Sequence, residues 1–426
     1  MADLNRLSAT ALAARLQARQ VRAIEVVDDC LARIAARDPA IHAWAFLEPE
    51  RARGQAHVLD AGSIRGPLHG LPIGVKDIMD TADMPTAYGS PIYTWHRPAW
   101  DAACVAAARA AGGVMLGKTV TTEFAAYNPA GTVNPRDFGH TPGGSSSGSA
   151  AAVADEMVPL AFGSQTVGSI IRPASFCGVV GYKPSFGTLS RAGVKPLAES
   201  LDTVGAIART VEDTALLVGA LTARAELLSL PQAAKLRIGL CRTSDWNQTR
   251  PEVGEAMDAA ARALSAAGAR VSQVELPPDF AALGDAHGDI LGYEITRNLA
   301  HEFAVHGARL STRLRELLEA SRQVTPERYD RARVLARACR MAFSSAIDEC
   351  HVLLAPSTTG EAPEGLDSTG NPVMNRVWTL LHLPCVTVPV AHGPSGLPVG
   401  LQVIGRFADD ARTLAAARWV HERMAS

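Results

Sequence analysis

The run Gly139-His140-Thr141-Pro142-Gly143-Gly144-Ser145-Ser146-Ser147-Gly148-Ser149 leads straight into an alanine-rich helical pattern over 149–155. An apolar strand pattern over 157–162 follows. A second polar loop then begins, Gly163-Ser164-Gln165-Thr166-Val167-Gly168-Ser169-Ile170-Ile171-Arg172-Pro173-Ala174, and it opens another helical turn. Helix and apolar strand in alternation are the signature of a layered α/β chain. Two Gly/Ser loops, each at a helix start, also gather backbone N–H groups and hydroxyls in one region. Such groups suit a developing negative charge.

The same alternation extends outward. Residues 8–37 read as two helices: Ser8 caps the first, Leu12, Ala13 and Leu16 form its apolar stripe, and Pro39 ends the second. The run 71–78 reads as a buried strand carrying one lysine, Lys76. Helix then strand recurs at 102–111 and 114–119, and again at 251–267 and 270–276. A strand over 399–404 and a helix over 409–424 close the chain. Helices on both faces of a sheet follow from this order. Residues 285–350 differ, with long arginine-rich helical patterns and few strand signals, and read as a helical lobe. No internal repeat or low-complexity linker divides the chain.

Composition narrows the function. The chain has 426 residues, 41 Lys+Arg against 43 Asp+Glu, and 47% hydrophobic residues. The near-neutral balance argues against nucleic-acid or anionic-membrane binding by bulk charge. No apolar stretch approaches the roughly 18 residues of a membrane helix. Residues 1–20 form an amphipathic pattern with internal arginines, unlike a secretion signal. Seven scattered cysteines with no C-x-x-C pair fit a reducing cytoplasm.

Other readings of the serine-rich loop fare worse. A flexible linker seldom sits between a proline turn and an apolar helix. Gly144-x-Ser146-x-Gly148 matches a nucleophile elbow, but the elbow needs a strand immediately before it, and 134–142 has loop chemistry. No phosphate-loop or dinucleotide fingerprint occurs. His301 and His306 are five apart, not the four of H-E-x-x-H, so no metal site is expected.

The chain resembles the amidase signature family in several blocks. The first is Gly70-Leu71-Pro72-Ile73-Gly74-Val75-Lys76-Asp77. The second runs from Pro142-Gly143-Gly144-Ser145 through Ala154, and the third is Thr166-Val167-Gly168-Ser169-Ile170-Ile171-Arg172-Pro173-Ala174. Val180-Gly181-Tyr182-Lys183-Pro184 trails it, and 396–405 extends the likeness to the C-terminal region. The resemblance implies one domain over 1–426, with a central mixed, twisted β-sheet covered by α-helices on both faces. Within it would lie N-terminal helices (1–40), the signature core (65–190) and the helical lobe (285–350), which would shape the substrate pocket. Ile170-Ile171-Arg172-Pro173-Ala174, the triple serine at 145–147 and Asn375-Arg376-Val377-Trp378-Thr379-Leu380 are most similar to the short bacterial malonamidase-type enzymes.

That resemblance implies an amidase with Ser169 as nucleophile, Ser145 as relay in a cis peptide linkage and Lys76 as base, needing no metal and no organic cofactor. A serine hydroxyl needs an adjacent base, and lysine can serve only when neutral. Near neutral pH that asks for a fall of about three in pKa, about 4 kcal/mol of differential stabilisation. Burial among Ile73, Val75 and Ile78 has the right sign. The N–H groups of Thr166, Val167, Gly168 and Ser169 are the expected oxyanion donors. Many family members carry Gly where this chain has Val167 and Asp where it has Gln165, and Val167 demands negative φ.

The substrate is left open between several classes. Arg172, one helical turn past Ser169, matches a carboxylate in its bidentate geometry, and in malonamidase-type enzymes the corresponding arginine holds a malonate half-amide. A rough alignment over 289–294 puts Leu291 where that branch has a second polar contact, which favours a neutral or more hydrophobic substrate. A broad aryl amidase, esterase or urethanase acting on anilides, esters and carbamates is therefore an alternative. A malonamate-specific hydrolase is a second, and the third is a subunit of a glutamine amidotransferase. The expected partner is a small amide or carbamate, with no nucleic acid and no membrane; the N-terminal helices could pack across a homodimer or on the core.

Overall fold

The computed structural model describes residues 3–126 and 128–424; Met1, Ala2, Tyr127, Ala425 and Ser426 lie outside the described residues. Eleven strands among the described residues form one sheet. They are β1 (Trp44–Leu47), β2 (Pro72–Lys76), β3 (Val114–Thr119), β4 (Leu160–Gln165), β5 (Val180–Lys183), β6 (Thr203–Ala208), β7 (Arg237–Cys241), β8 (Arg270–Val274), β9 (Val352–Pro356), β10 (Cys385–His392) and β11 (Pro398–Ile404). Their order is β1-β3-β2-β4-β6-β5-β10-β11-β9-β7-β8. The sheet is mixed: β2 runs parallel to β3 and β4, whereas β6 is antiparallel to both β4 and β5. β2 is buried along its whole length, as a run with apolar residues on both faces requires.

The helices are α1 (Ala9–Gln17), α2 (Ala23–Ile41), α3 (Pro49–Ala61), α4 (Ala103–Ala110), α5 (Ser147–Ala154), α6 (Ile171–Cys177), α7 (Val211–Thr222), α8 (Ala225–Leu228), α9 (Pro251–Ala266), α10 (Leu283–Asn298), α11 (Ala300–His306), α12 (Thr312–Ser321), α13 (Pro326–Ala346), α14 (Arg376–Leu380) and α15 (Asp410–Met424). α5 is buried on every side, which its small, apolar residues allow. Gly148 within it is obligatory, because a Cβ there would stand 2.2 Å from Ala43 O and 2.3 Å from Val120 N.

Most sequence expectations hold, with two corrections. Ser8 caps α1 by accepting from Ala11 N, and Leu12, Ala13 and Leu16 are buried. Thr10 donates through its N–H and hydroxyl to Asp213 of α7, at 2.8 and 3.0 Å, so α1 packs on the core. Pro39, however, does not end α2. The helix continues to Ile41 and closes at His42, whose φ is 57° and whose N–H still reaches Asp38 O. Proline removes only its own donor, and two further residues complete the last turn. The strand expected at 157–162 instead spans Leu160–Gln165. Pro159 lacks the N–H needed to enter the ladder earlier, and pairing with β6 runs on to Gln165↔Thr203. Gly163, Ser164 and Gln165 are therefore strand residues, and the second loop starts at Thr166.

Candidate active site

Parallel pairing of β2 and β4 sets the site. Ile73 pairs with Leu160 and Gly74 with Ala161, so the C-terminal ends of both strands lie side by side, the usual place for a site in such sheets. β2 delivers Lys76 there, and β4 delivers Ser164 and then the 166–169 loop. Lys76 is wholly buried. Its Nζ is 2.7 Å from Ser145 Oγ, 2.8 Å from Ser164 Oγ and 3.3 Å from Ser164 O. Burial drives its pKa well below the ordinary lysine value, against a smaller opposing pull from the Asp202 carboxylate.

Ser145 lies two residues before α5, and the Gly144–Ser145 peptide bond is cis. The two loops are stitched together: Ser146 N donates to Ser169 O at 3.4 Å, and Ser146 Oγ bridges to Ser164 O and Ser164 N. Ser145 and Ser169 are both buried, and Ser169 faces a pocket. No hydrogen bond joins their hydroxyls among the described residues. Catalytic contacts of this kind often tighten only around a substrate.

The 166–169 loop is held from outside, carbonyl by carbonyl. His287 Nε2 meets Thr166 O at 2.9 Å, Thr379 Oγ1 donates to Val167 O at 2.7 Å, and Arg172 N donates to Gly168 O at 2.9 Å. The Thr166 hydroxyl donates to Asp202 at 2.5 Å. Gln165 Oε1 accepts from Ile170 N and Ile171 N, while its Nε2 donates to Thr379 Oγ1. Asn375 Oδ1 packs so closely on Gly168 that a Cβ there would stand 2.2 Å from it. With the carbonyls engaged, the amides of Thr166, Val167, Gly168 and Ser169 donate to no protein acceptor among the described residues. Val167 is accommodated without positive φ.

The pocket beside Ser169 is narrow, with about 370 Å³ of empty space. Its walls include Ala125, Ala126, Arg172, Leu197, Leu291, Ile295, Leu317 and Pro372. Arg172 reaches the pocket, yet its Nη2 donates to Gly144 O at 2.6 Å and its Nη1 to Gly370 O. The structure thus brings together every expected site residue. Sequence reading missed Ser164, Asp202, His287 and Thr379. Ser164 stands in the second polar loop, just before the third block, and Thr379 within the run 375–380; Asp202 and His287 carry no local motif.

A mixed α/β sheet with this lysine and these serine loops is that of a hydrolase acting on amide C–N bonds, and comparison with known proteins agrees. A profile of the family described as Amidase matches residues 25–414, and the chain belongs to that family. A glutamyl-tRNA(Gln) amidotransferase subunit from Solidesulfovibrio magneticus is 34% identical, covering 98% of this chain and 97% of its own. The native peptide amidase of Stenotrophomonas maltophilia superposes with a TM-score of 0.84 at 30% identity, over 99% and 97% of the two chains. A chain from a vestigial protein complex, tied to the evolutionary origins of an s-triazine catabolic enzyme, gives 0.89 at 28% identity over 98% of both.

Proposed function

We propose that the protein hydrolyses a carboxylic amide through a covalent acyl-enzyme on Ser169, with Ser145 as relay and Lys76 as base. The observation that carries this reading is the surroundings of Lys76. It is buried, and among the described residues its hydrogen bonds go to two hydroxyls and a carbonyl, with no carboxylate among these partners. A neutral amine has two N–H donors and one lone pair. Two donors satisfy the Ser164 oxygens, and the lone pair is left for the Ser145 hydroxyl. Ser169 Oγ attacks the carbonyl carbon while its proton passes to Ser145 Oγ, whose own proton moves to Lys76 Nζ. The oxyanion takes the amides of the 166–169 loop. The C–N bond breaks as the proton returns through Ser145 to the leaving nitrogen, releasing ammonia or an amine. Water then cleaves the acyl-enzyme by the same relay.

We read the substrate as a small, neutral amide, with anilides, esters and carbamates open to the same chemistry. The apolar walls at Leu197, Leu291, Ile295 and Leu317 support this. The bonds from Arg172 to the carbonyls of Gly144 and Gly370 favour a role in fixing the loop before Ser145 over a malonate clamp. A second reading, a glutamine-hydrolysing component of an amidotransferase, rests on the 34% identity to such a protein. The test is amine release from malonamate, its methyl ester, an aryl acetamide, an aryl carbamate and glutamine, with wild type, Ser169→Ala and Arg172→Ala. The neutral aryl substrates should lead, Ser169→Ala should abolish turnover, and Arg172→Ala should slow all substrates alike. A malonamate preference erased by Arg172→Ala would establish a malonamidase instead. Glutamine turnover alone would favour the amidotransferase.

A further inference from the structure

Val167 and Leu291 each line two cavities. One is the narrow pocket beside Ser169. The other is a larger cleft, with about 1040 Å³ of empty space, walled by α10, by the end of α12 and by Val324, Arg328 and Arg376. Among the described residues these two are common to both linings. Each is almost fully buried, at 8% and 7% exposure, although the cleft beside them is open to solvent.

The wall is fixed in place. His287, Leu291 and Ile295 are four residues apart on α10 and share one face. His287 Nε2 bonds Thr166 O at 2.9 Å, which pins that face to the loop carrying Ser169. Thr379 Oγ1 holds Val167 through its carbonyl at 2.7 Å. The stretch of α10 that carries Leu291 is therefore held against the loop.

We propose that Val167 and Leu291 set the length of substrate group that this enzyme accepts, by closing the Ser169 pocket off from the cleft. This rests on the proposed reading that the pocket holds substrate. A group that fits the narrow pocket is accepted, and a longer chain is stopped at the leucine. Shortening Leu291 joins the two spaces and lets the chain run into the cleft. Each methylene excluded or admitted in such a pocket is worth about 10- to 200-fold in kcat/KM.

The experiment uses p-nitroanilides from acetyl to octanoyl and acetamides of methylamine to octylamine, because either side of the bond could occupy the pocket. Labelling of Ser169 by ethyl to octyl fluorophosphonates reads the same limit without amide turnover. Wild type should fall steeply with length in one amide series and in the labelling. Leu291→Ala should raise the long-to-short ratio at least about tenfold, and Leu291→Phe should lower it. Leu317→Ala is the control: Leu317 lines the pocket but not the cleft, so it should leave the octyl compounds excluded. An unchanged ratio in Leu291→Ala, in both amide series and in labelling, overturns the proposal, as does an equal gain in Leu317→Ala. Wild type that labels with a length limit but cleaves no amide would refute the amidase reading and leave the partition standing.

Discussion

Lys76 Nζ lies 2.8 Å from Ser164 Oγ, one strand over in the sheet, and its other hydrogen-bond partners are the Ser145 hydroxyl and the Ser164 carbonyl. A protonated lysine in this position would be wholly buried with no salt-bridge partner among the described residues, which is costly. The direction is fixed: burial depresses the pKa, so the neutral form extends well below the ordinary lysine range. The kcat/KM profile should therefore rise with pH through one inflection well below about 10.4. Lys76→Ala should lower kcat by about 10²- to 10⁴-fold, remove that inflection and leave KM nearly unchanged. A variant that keeps the ascending limb would show that another group is the base.

Asp202 pulls the other way. Its carboxylate favours the charged form of Lys76, as the smaller of the two influences on it. Burial also raises the Asp202 pKa to about 6, against hydrogen bonds from Thr166, Leu197 and Ala198. Asp202→Asn removes the negative charge and keeps the size. The Lys76 inflection in kcat/KM should then move to lower pH. An upward move, or none, would mean that the Asp202 charge is not felt at the lysine.

Short-range signals exposed the backbone of this site, and long-range ones did not. Lys76, Ser145 and Ser169 stand in loops and strand ends whose Gly, Pro and Ser content announces them. The parallel pairing of β2 and β4 that joins them follows from alternating helix and strand. His287, by contrast, is a histidine inside a helix with an ordinary apolar face, 121 residues from the carbonyl it binds. Thr379 is 212 residues from Val167 O. Nothing local marks the role of either residue, although Thr379 stands in the quoted run 375–380, because that role is created by the fold that brings them to the loop. The displaced start of β4 has a simpler cause: apolar Met157 and Val158 look like strand, but Pro159 cannot join a ladder.

Gln165 and Thr379 should act as one unit. Gln165 Oε1 is committed to two backbone N–H donors, so its Nε2 must face Thr379 Oγ1, and the threonine proton is then directed to Val167 O. A carboxylate at 165 can accept from the amides but cannot donate to Thr379. Gln165→Glu should draw the threonine proton away from Val167 O, loosen the oxyanion loop and lower kcat by about 10- to 100-fold, below the full loss of one donor. Thr379→Val should cost a similar amount. In a double-mutant cycle the losses should fall well short of additive. Full additivity, or effects confined to KM, would separate the pair from the loop.

His287 supplies the link between the helical layer and the chemistry, and its tautomer is dictated. Thr166 O can only accept, so Nε2 carries the proton and donates. Burial lowers the His287 pKa to about 4, with a further push from Arg376 and an opposing one from the bond to Thr166. The unfolded chain takes up this proton near pH 6.5, while the folded chain resists until about 4. Acid therefore favours unfolding across that window, and stability rises with pH through it, by up to about 3 kcal/mol from this residue. His382, whose pKa burial lowers to about 3, adds a similar slope in wild type and variants alike. His287→Gln, which can still donate to Thr166 O, should lessen the slope of the urea-unfolding free energy between pH 6.5 and 4, leaving the His382 share, and retain most of kcat. His287→Ala should lessen it equally but lose kcat, because the loop carbonyl is released. If the two variants and wild type share one stability profile, the buried neutral histidine is not what makes the protein acid-sensitive. If Ala and Gln are equally active, the Thr166 contact does not hold the oxyanion loop.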